Sequence, residues 1–82
     1  MKVITIGRST ENNDIVVNDE KVSRNHLQMV MDDNGNFSVV DLGSTNGTYV
    51  NGTKLIPGKK ALLNDGMTIR LANEEFIFRN KR

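Results

Sequence analysis

Chemistry-bearing side chains collect in three short polar stretches. Ser23-Arg24-Asn25-His26 sets a hydroxyl, a guanidinium, an amide and an imidazole side by side, just before a strand-like run from Leu27 to Asp32. Arg8 follows Gly7 where another such run, Val3 to Ile6, stops. Ser44, Thr45 and Asn46 lie between Gly43 and Gly47 within D-L-G-S-T-N-G-T, Asp41 to Thr48. Singly, each has a plain use: an exposed cation, a turn hydroxyl, a polar loop. Together, Arg8, Arg24, Ser23, Ser44, Thr45 and Asn46 suit a phosphate on a peptide. A phosphorylated side chain carries about −1.5 to −2 charge and three acceptor oxygens. Arginine meets it with charge-assisted hydrogen bonds, and hydroxyls add neutral ones. Asn46 adds no charge, but its amide both donates and accepts, which fits a peptide main chain. The glycines let backbone N–H groups approach a ligand, and Gly7 implies positive φ or a close backbone approach. His26 has a different task. Standing directly before a strand, it is expected to be buried, with its two ring nitrogens tying two loops together.

Elements that could position these residues follow from the turn signals. Asn34-Gly35, Asn51-Gly52, Pro57-Gly58 and Asn64-Asp65-Gly66 punctuate the chain. Asn-Gly between apolar-polar runs predicts a hairpin, because a type I′ turn needs positive φ at both central residues. Between the turns the apolar residues alternate, as in Leu27, Met29 and Met31 around Gln28 and Val30, or Ile69 and Leu71 around Arg70. That is period two, and no stretch carries a helical stripe. About nine short strands are expected: Val3–Ile6, Ile15–Val17, Leu27–Asp32, Phe37–Asp41, Thr48–Val50, Lys54–Ile56, Ala61–Leu63, Met67–Leu71 and Glu75–Arg79. The fold class is therefore all-β, an antiparallel β-sandwich of short strands with the binding loops at one end. Those loops are 8–14, 18–25 and 43–46, long and polar for so short a chain, where function is expected.

Composition narrows the options. Eighty-two residues make one domain, 1–82. It is either a whole protein or the amino-terminal part of a longer one. A chain this size buries roughly 60 to 65% of its unfolded surface, so the core is thin. There are no cysteines and one histidine, which removes disulfides and leaves no plausible zinc set. No metal or cofactor is expected. Eleven lysines and arginines against ten aspartates and glutamates give a net charge of +1, too little for bulk attraction to nucleic acid or an anionic membrane. No apolar run approaches the ~18 residues of a membrane span, and Met1 to Ile6 is too short for a signal peptide. A soluble, cytoplasmic protein is expected, with no membrane contact by this segment.

Two rival chemistries find little support. A hydrolytic triad of Ser23, His26 and Asp41 or Asp14 needs the serine within hydrogen-bond reach of the histidine. A serine three residues before a histidine at the start of a strand does not generally meet it, so no enzyme is expected. Nucleic-acid binding needs a basic patch with stacking aromatics. Lys59-Lys60 and Arg79, Lys81 and Arg82 are small clusters, and Phe37, Phe76 and Phe78 fit core positions, leaving Tyr49.

The ordered set Gly7-Arg8, Ser23-Arg24-Asn25-His26, Ser44-Thr45-Asn46-Gly47 and Asn51-Gly52 resembles the forkhead-associated (FHA) domain. It runs from Gly7 to Gly52; the later strands match in pattern only. The resemblance implies a β-sandwich that binds phosphothreonine peptides through loops at one end. It implies that Arg8, Ser23, Arg24 and Thr45 contact the phosphothreonine, that Asn46 holds the peptide main chain, and that Gly7, His26, Gly47 and Asn51 build the loops. The partner would then be a phosphothreonine-containing protein, with a Ser/Thr kinase acting upstream. The alternative is a domain of the same fold that docks partners, or its own parent chain, without phosphate.

Overall fold

The structure, a computed structural model, describes residues 1–80. Lys81 and Arg82, part of the basic tail noted above, lie outside the described residues. Nine strands are present: β1 (Lys2–Gly7), β2 (Ile15–Val16), β3 (Leu27–Met31), β4 (Phe37–Asp41), β5 (Thr48–Val50), β6 (Thr53–Lys54), β7 (Ala61–Leu63), β8 (Thr68–Leu71) and β9 (Glu74–Ile77). They form a five-stranded sheet in the order β2-β1-β3-β4-β7 and a four-stranded sheet in the order β6-β5-β8-β9. Alternation decides which side chains face inward. In β5, Thr48 and Val50 are buried and Tyr49 is half-buried; in β8, Ile69 and Leu71 are buried between Thr68 and Arg70. Leu27, Val39 and Leu63 from the first sheet meet Val50, Ile69 and Leu71 from the second in one core. Phe37 packs edge-on against Phe78, ring centroids 5.1 Å apart, at the end of β4 away from Asp41. Phe76, expected in the core, is instead 45% exposed because β9 is an edge strand with no neighbour beyond it.

Register sets the site end of the sandwich. Ile6 lies opposite Leu27, Leu27 opposite Asp41, and, in the other sheet, Thr48 opposite Leu71. The chain thus leaves β1, enters β3, leaves β4 and enters β5 at one end. Loops 8–14, 18–25 and 43–46 converge there.

Three local features depart from the pattern-based expectation. One ladder is parallel: β2 runs alongside β1, with Ile6 opposite Ile15 and Gly7 opposite Val16. Such pairs usually need a long crossover. A two-residue strand escapes that need because Asp14 closes the loop, its carboxylate accepting from the Thr5 N–H at 2.9 Å and its N–H donating to the Thr5 carbonyl at 2.9 Å. Strand β6 ends at Lys54 rather than Ile56, since Leu55 turns into the core and donates its N–H to the Thr48 carbonyl at 2.8 Å. Asn51-Gly52 has φ of 49° and 81°, as a type I′ turn requires, but at Asn34-Gly35 only the glycine is positive. There the Asp32 carboxylate organises the turn, accepting from the N–H groups of Asn34 and Asn36 at 2.9 Å each.

Candidate functional site

Beneath the convergent loops lie the buried polar side chains: His26 and Thr48 at 0% exposure and Asp41 at 1%. Buried polar groups are costly unless bonded, and each of these is bonded across elements. The Asp41 carboxylate accepts from the Ser44 hydroxyl at 2.6 Å and the Thr48 hydroxyl at 2.6 Å. It also accepts from the N–H groups of Gly43 and Ser44 at 3.0 and 3.1 Å. The Thr48 bond joins the two sheets. Burial pushes the Asp41 pKa up, but the hydrogen bonds from Ser44, Thr48 and Gly43 outweigh it and hold the carboxyl below its ordinary value. An ionised Asp41 thus fixes the start of the 43–46 loop.

His26 joins that loop to its neighbour. Its Nδ1 accepts from the Ser23 N–H at 3.0 Å. Its Nε2 lies 2.9 Å from the Gly47 carbonyl. A carbonyl can only accept, so Nε2 carries the proton and the ring is the neutral Nε2–H tautomer. Both nitrogens are occupied and the ring is fully buried. Neither meets the Ser23 hydroxyl, so the geometry contains no histidine-activated serine.

The arginine loops are held by backbone contact. Past the end of β1, the Arg8 N–H donates to the Ser23 carbonyl at 3.0 Å and the Ser9 N–H to the Arg24 carbonyl at 3.2 Å. Gly7 makes this possible. A Cβ there would stand 2.2 Å from the Arg24 carbonyl oxygen. Gly7 is not among the residues with positive φ, so of the two readings of this glycine the structure realises close approach. The Arg24 carbonyl also accepts from the Asn13 amide at 2.7 Å, and that amide donates to the Ser9 carbonyl at 2.8 Å. Arg8 donates Nε to the Val22 carbonyl at 3.0 Å, which ties its guanidinium to the 18–25 loop. Arg24 is exposed. The two arginines share an open polar cleft of about 330 Å³ with Ser9, Thr10 and Glu11.

Hydroxyls and amide approach from the other side. Ser23 Oγ accepts the Thr45 N–H at 3.0 Å, leaving its own proton to donate. Thr45 and Asn46 are exposed, and the Asn46 amide donates to the Lys21 carbonyl at 2.7 Å. Arg8, Ser23, Arg24, Thr45 and Asn46 therefore sit on loops bonded directly to one another, with Gly7, His26 and Gly47 underneath. Asn51 stands apart. It lies beyond the far end of β5, where its Oδ1 accepts from the Thr68 N–H at 2.8 Å and pins the β5–β6 hairpin to β8. Its support for the loops runs only through the second sheet.

Asn13 and Asp41 are organising residues that motif reading passes over. Asp41 carries a usable signal, an aspartate two and three residues before Gly43 and Ser44, the pattern of an Asx turn. Asn13 carries none, because its partners are carbonyls brought by tertiary contact. Chemically, the arrangement offers two guanidiniums, free hydroxyl protons and exposed amides on a prebuilt rim: an anion site beside a main-chain contact.

Comparison with known proteins gives consistent matches. The family model described as FHA domain matches residues 4–72. An FHA domain-containing protein of Arabidopsis thaliana is 38% identical over 77 residues, 94% of this chain and 20% of that protein. Mycobacterium tuberculosis EmbR, solved in complex with a low-affinity phosphopeptide, is 38% identical with a TM-score of 0.83, covering 94% of this chain and 19% of that one. The amino-terminal FHA domain of Rad53p from S. cerevisiae, in complex with a phosphothreonine peptide, is 36% identical with a TM-score of 0.75, covering 83% and 54%. The chain spans about a fifth of the Arabidopsis relative's length.

Proposed function

The chain belongs to the FHA domain family, and from that premise and the site geometry we propose that it is a phosphothreonine-dependent peptide-binding module. It acts without catalysis, as a cytoplasmic reader of marks written by a Ser/Thr kinase. The observation that carries this reading is the pairing of Arg8 and Arg24 in one open cleft, beside a Ser23 hydroxyl whose acceptor side is already taken by Thr45. The phosphate is held by the two guanidiniums and by the Ser23 and Thr45 hydroxyls. Asn46 binds the adjoining main chain. Gly7, His26 and Gly47 keep the loops in place, and Asn51 braces the β5–β6 hairpin against β8.

Isothermal titration with one peptide in threonine, phosphothreonine and phosphoserine forms tests the reading. The phosphothreonine form binds, and the unphosphorylated form shows no measurable heat. Phosphoserine binds more weakly by about fourfold or more, since one buried methyl is worth about 0.8 kcal/mol. Equal binding of phosphorylated and unphosphorylated peptides refutes it in favour of phosphate-independent docking.

A further inference from the structure

The second sheet ends in a strand whose outer edge has no neighbour among the described residues. That strand, β9, has four residues and is the longest of the edge strands; β2 and β6 have two each and β7 three. Its bonds to the hairpin partner show which backbone groups are unused. The Phe78 N–H donates to the Met67 carbonyl at 2.8 Å, and the Phe78 carbonyl accepts from the Gly66 N–H at 2.8 Å. Phe78 thus directs its backbone groups toward β8, and by alternation Phe76 and Glu74 do the same. Glu75, Ile77 and Arg79 direct theirs away from the sheet. An unpaired edge is a template for another strand, and proteins usually blunt it with charge, proline or brevity. Here Ile77 is 57% exposed. Phe76 and Phe78 border an apolar cleft of about 200 Å³ that opens between β9 and β2, lined also by Ile6, Ile15, Met29 and Ile69.

This edge is complementary to itself. In an antiparallel ladder the hydrogen-bonded pairs are made by residues whose backbone groups point outward, which on β9 are 75, 77 and 79. A twofold axis through Ile77 sets Ile77 against Ile77 of a second copy and Glu75 against that copy's Arg79, twice by symmetry. An axis at Phe76 or Phe78 would set Ile77 against a charge, and one at Glu75 or Arg79 would oppose like charges. Glu75 and Arg79 are exposed, and among the described residues neither has an ion-pair partner in its own chain. The Ile77-centred register also brings Phe76 of each copy opposite Phe78 of the other, at the mouth of the cleft. We propose that β9 is a dimerisation edge, on which a second copy of this chain pairs antiparallel about Ile77 and joins the two four-stranded sheets into one. The paired strands run in opposite directions, so the loop ends of the two copies face opposite ways. This interface goes beyond the phosphothreonine reading and does not rest on it.

Sedimentation equilibrium across a wide range of concentration, up to millimolar, tests it. The mass of the chain rises toward that of a dimer. Ile77→Lys places like charges on the axis and weakens association by about tenfold or more. Glu75→Arg or Arg79→Glu alone turns both ion pairs into repulsions and weakens it by about fivefold to thirtyfold. Glu75→Arg combined with Arg79→Glu restores both pairs in reverse, and association returns to the wild-type level. All three side chains are exposed, so the variants keep the fold, with the melting temperature as the check. A chain that stays monomeric at millimolar concentration overturns the proposal. A dimer indifferent to Ile77→Lys and to both single reversals overturns the assignment to β9. A double variant no stronger than the single reversals overturns the Ile77-centred register.

Discussion

Gly7→Ala probes the contact on which the arginine loops depend. The new Cβ would stand 2.2 Å from the Arg24 carbonyl oxygen, 2.8 Å from its carbon and 3.0 Å from the Asn13 amide nitrogen. Even a close C–H···O contact needs roughly 3.3 Å, so the 24 carbonyl has to retreat by about 1 Å. That carbonyl accepts from Ser9 at 3.2 Å and Asn13 at 2.7 Å. Losing both bonds costs about 1 kcal/mol each, and forcing the backbone apart adds about 1 to 3 kcal/mol. The sum, about 3 to 5 kcal/mol, is a large share of the roughly 4 to 12 kcal/mol expected for a chain this long. The melting temperature should fall by roughly 12 to 40 °C, and phosphopeptide affinity should fall with it, measured by calorimetry where the variant is still folded. Gly43→Ala is the control: nothing lies within 4 Å of its Cβ, so it carries only the left-handed penalty of about 1 to 2 kcal/mol. A Gly7→Ala melting temperature within about 4 °C of wild type, under 1 kcal/mol, would refute the claim that this approach holds the loops together.

Other substitutions separate recognition from support. Arg8→Ala removes a charge-assisted contact and should weaken phosphopeptide binding by about 10- to 150-fold, with the domain still folded and a fall in melting temperature of about 4 to 8 °C from the lost Val22 bond; unchanged affinity by calorimetry counts against it. His26→Ala should act in the opposite order, lowering the melting temperature by removing both loop ties and weakening binding only as a result. Lost binding at unchanged stability would make His26 a direct contact. Glu11 is the carboxylate lining the arginine cleft, so Glu11→Gln should raise phosphopeptide affinity by about twofold to fivefold, and no gain would place it clear of the ligand. The folded pKa of Asp41 is depressed, so its stabilising contribution is complete above the unfolded value of about 3.9 and is lost as pH falls through the lower folded one. Urea unfolding from pH 6 to pH 2.5 should show that acid limb, shallower in Asp41→Asn though not abolished, because Asp32 is depressed too by backbone hydrogen bonds from Asn36 and Asn34. An equally steep limb in the variant would remove Asp41 from the account.

Strand positions were readable because alternation and turn residues are local. Ile69 and Leu71 had to face one way and Arg70 the other, whatever the rest of the chain did. His26 was readable in part for the same reason: an imidazole at the foot of an apolar strand is drawn inside, where it must find partners. The partners themselves, Ser23 N–H and Gly47 C=O, belong to backbone, which carries no sequence signature. The same blindness hides Asn13 and the course of the Arg8 guanidinium, each settled by a carbonyl from another loop, and the parallel pairing of β2, settled by the backbone of β1. Thr45 illustrates the division within one residue. Its hydroxyl is the legible part, but its N–H, bonded to Ser23, is what joins the loops.

The loop-to-loop bonds also set a tempo. Arg8 to Ser23, Ser9 to Arg24, Thr45 to Ser23 and Asn46 to Lys21 are all made between groups of the chain itself. Little of the rim is left to order on contact, so association resembles the docking of two rigid patches, with rate constants of about 10⁵ to 10⁷ M⁻¹s⁻¹. For any complex of micromolar affinity, that implies departure in roughly 0.1 to 10 s. A reader that lets go this quickly shields its mark from a phosphatase only fleetingly. Under the proposed function, the duration of a signal passing through such a domain would be governed by the enzymes that write and erase the phosphate, and the domain would report their balance almost as it changes.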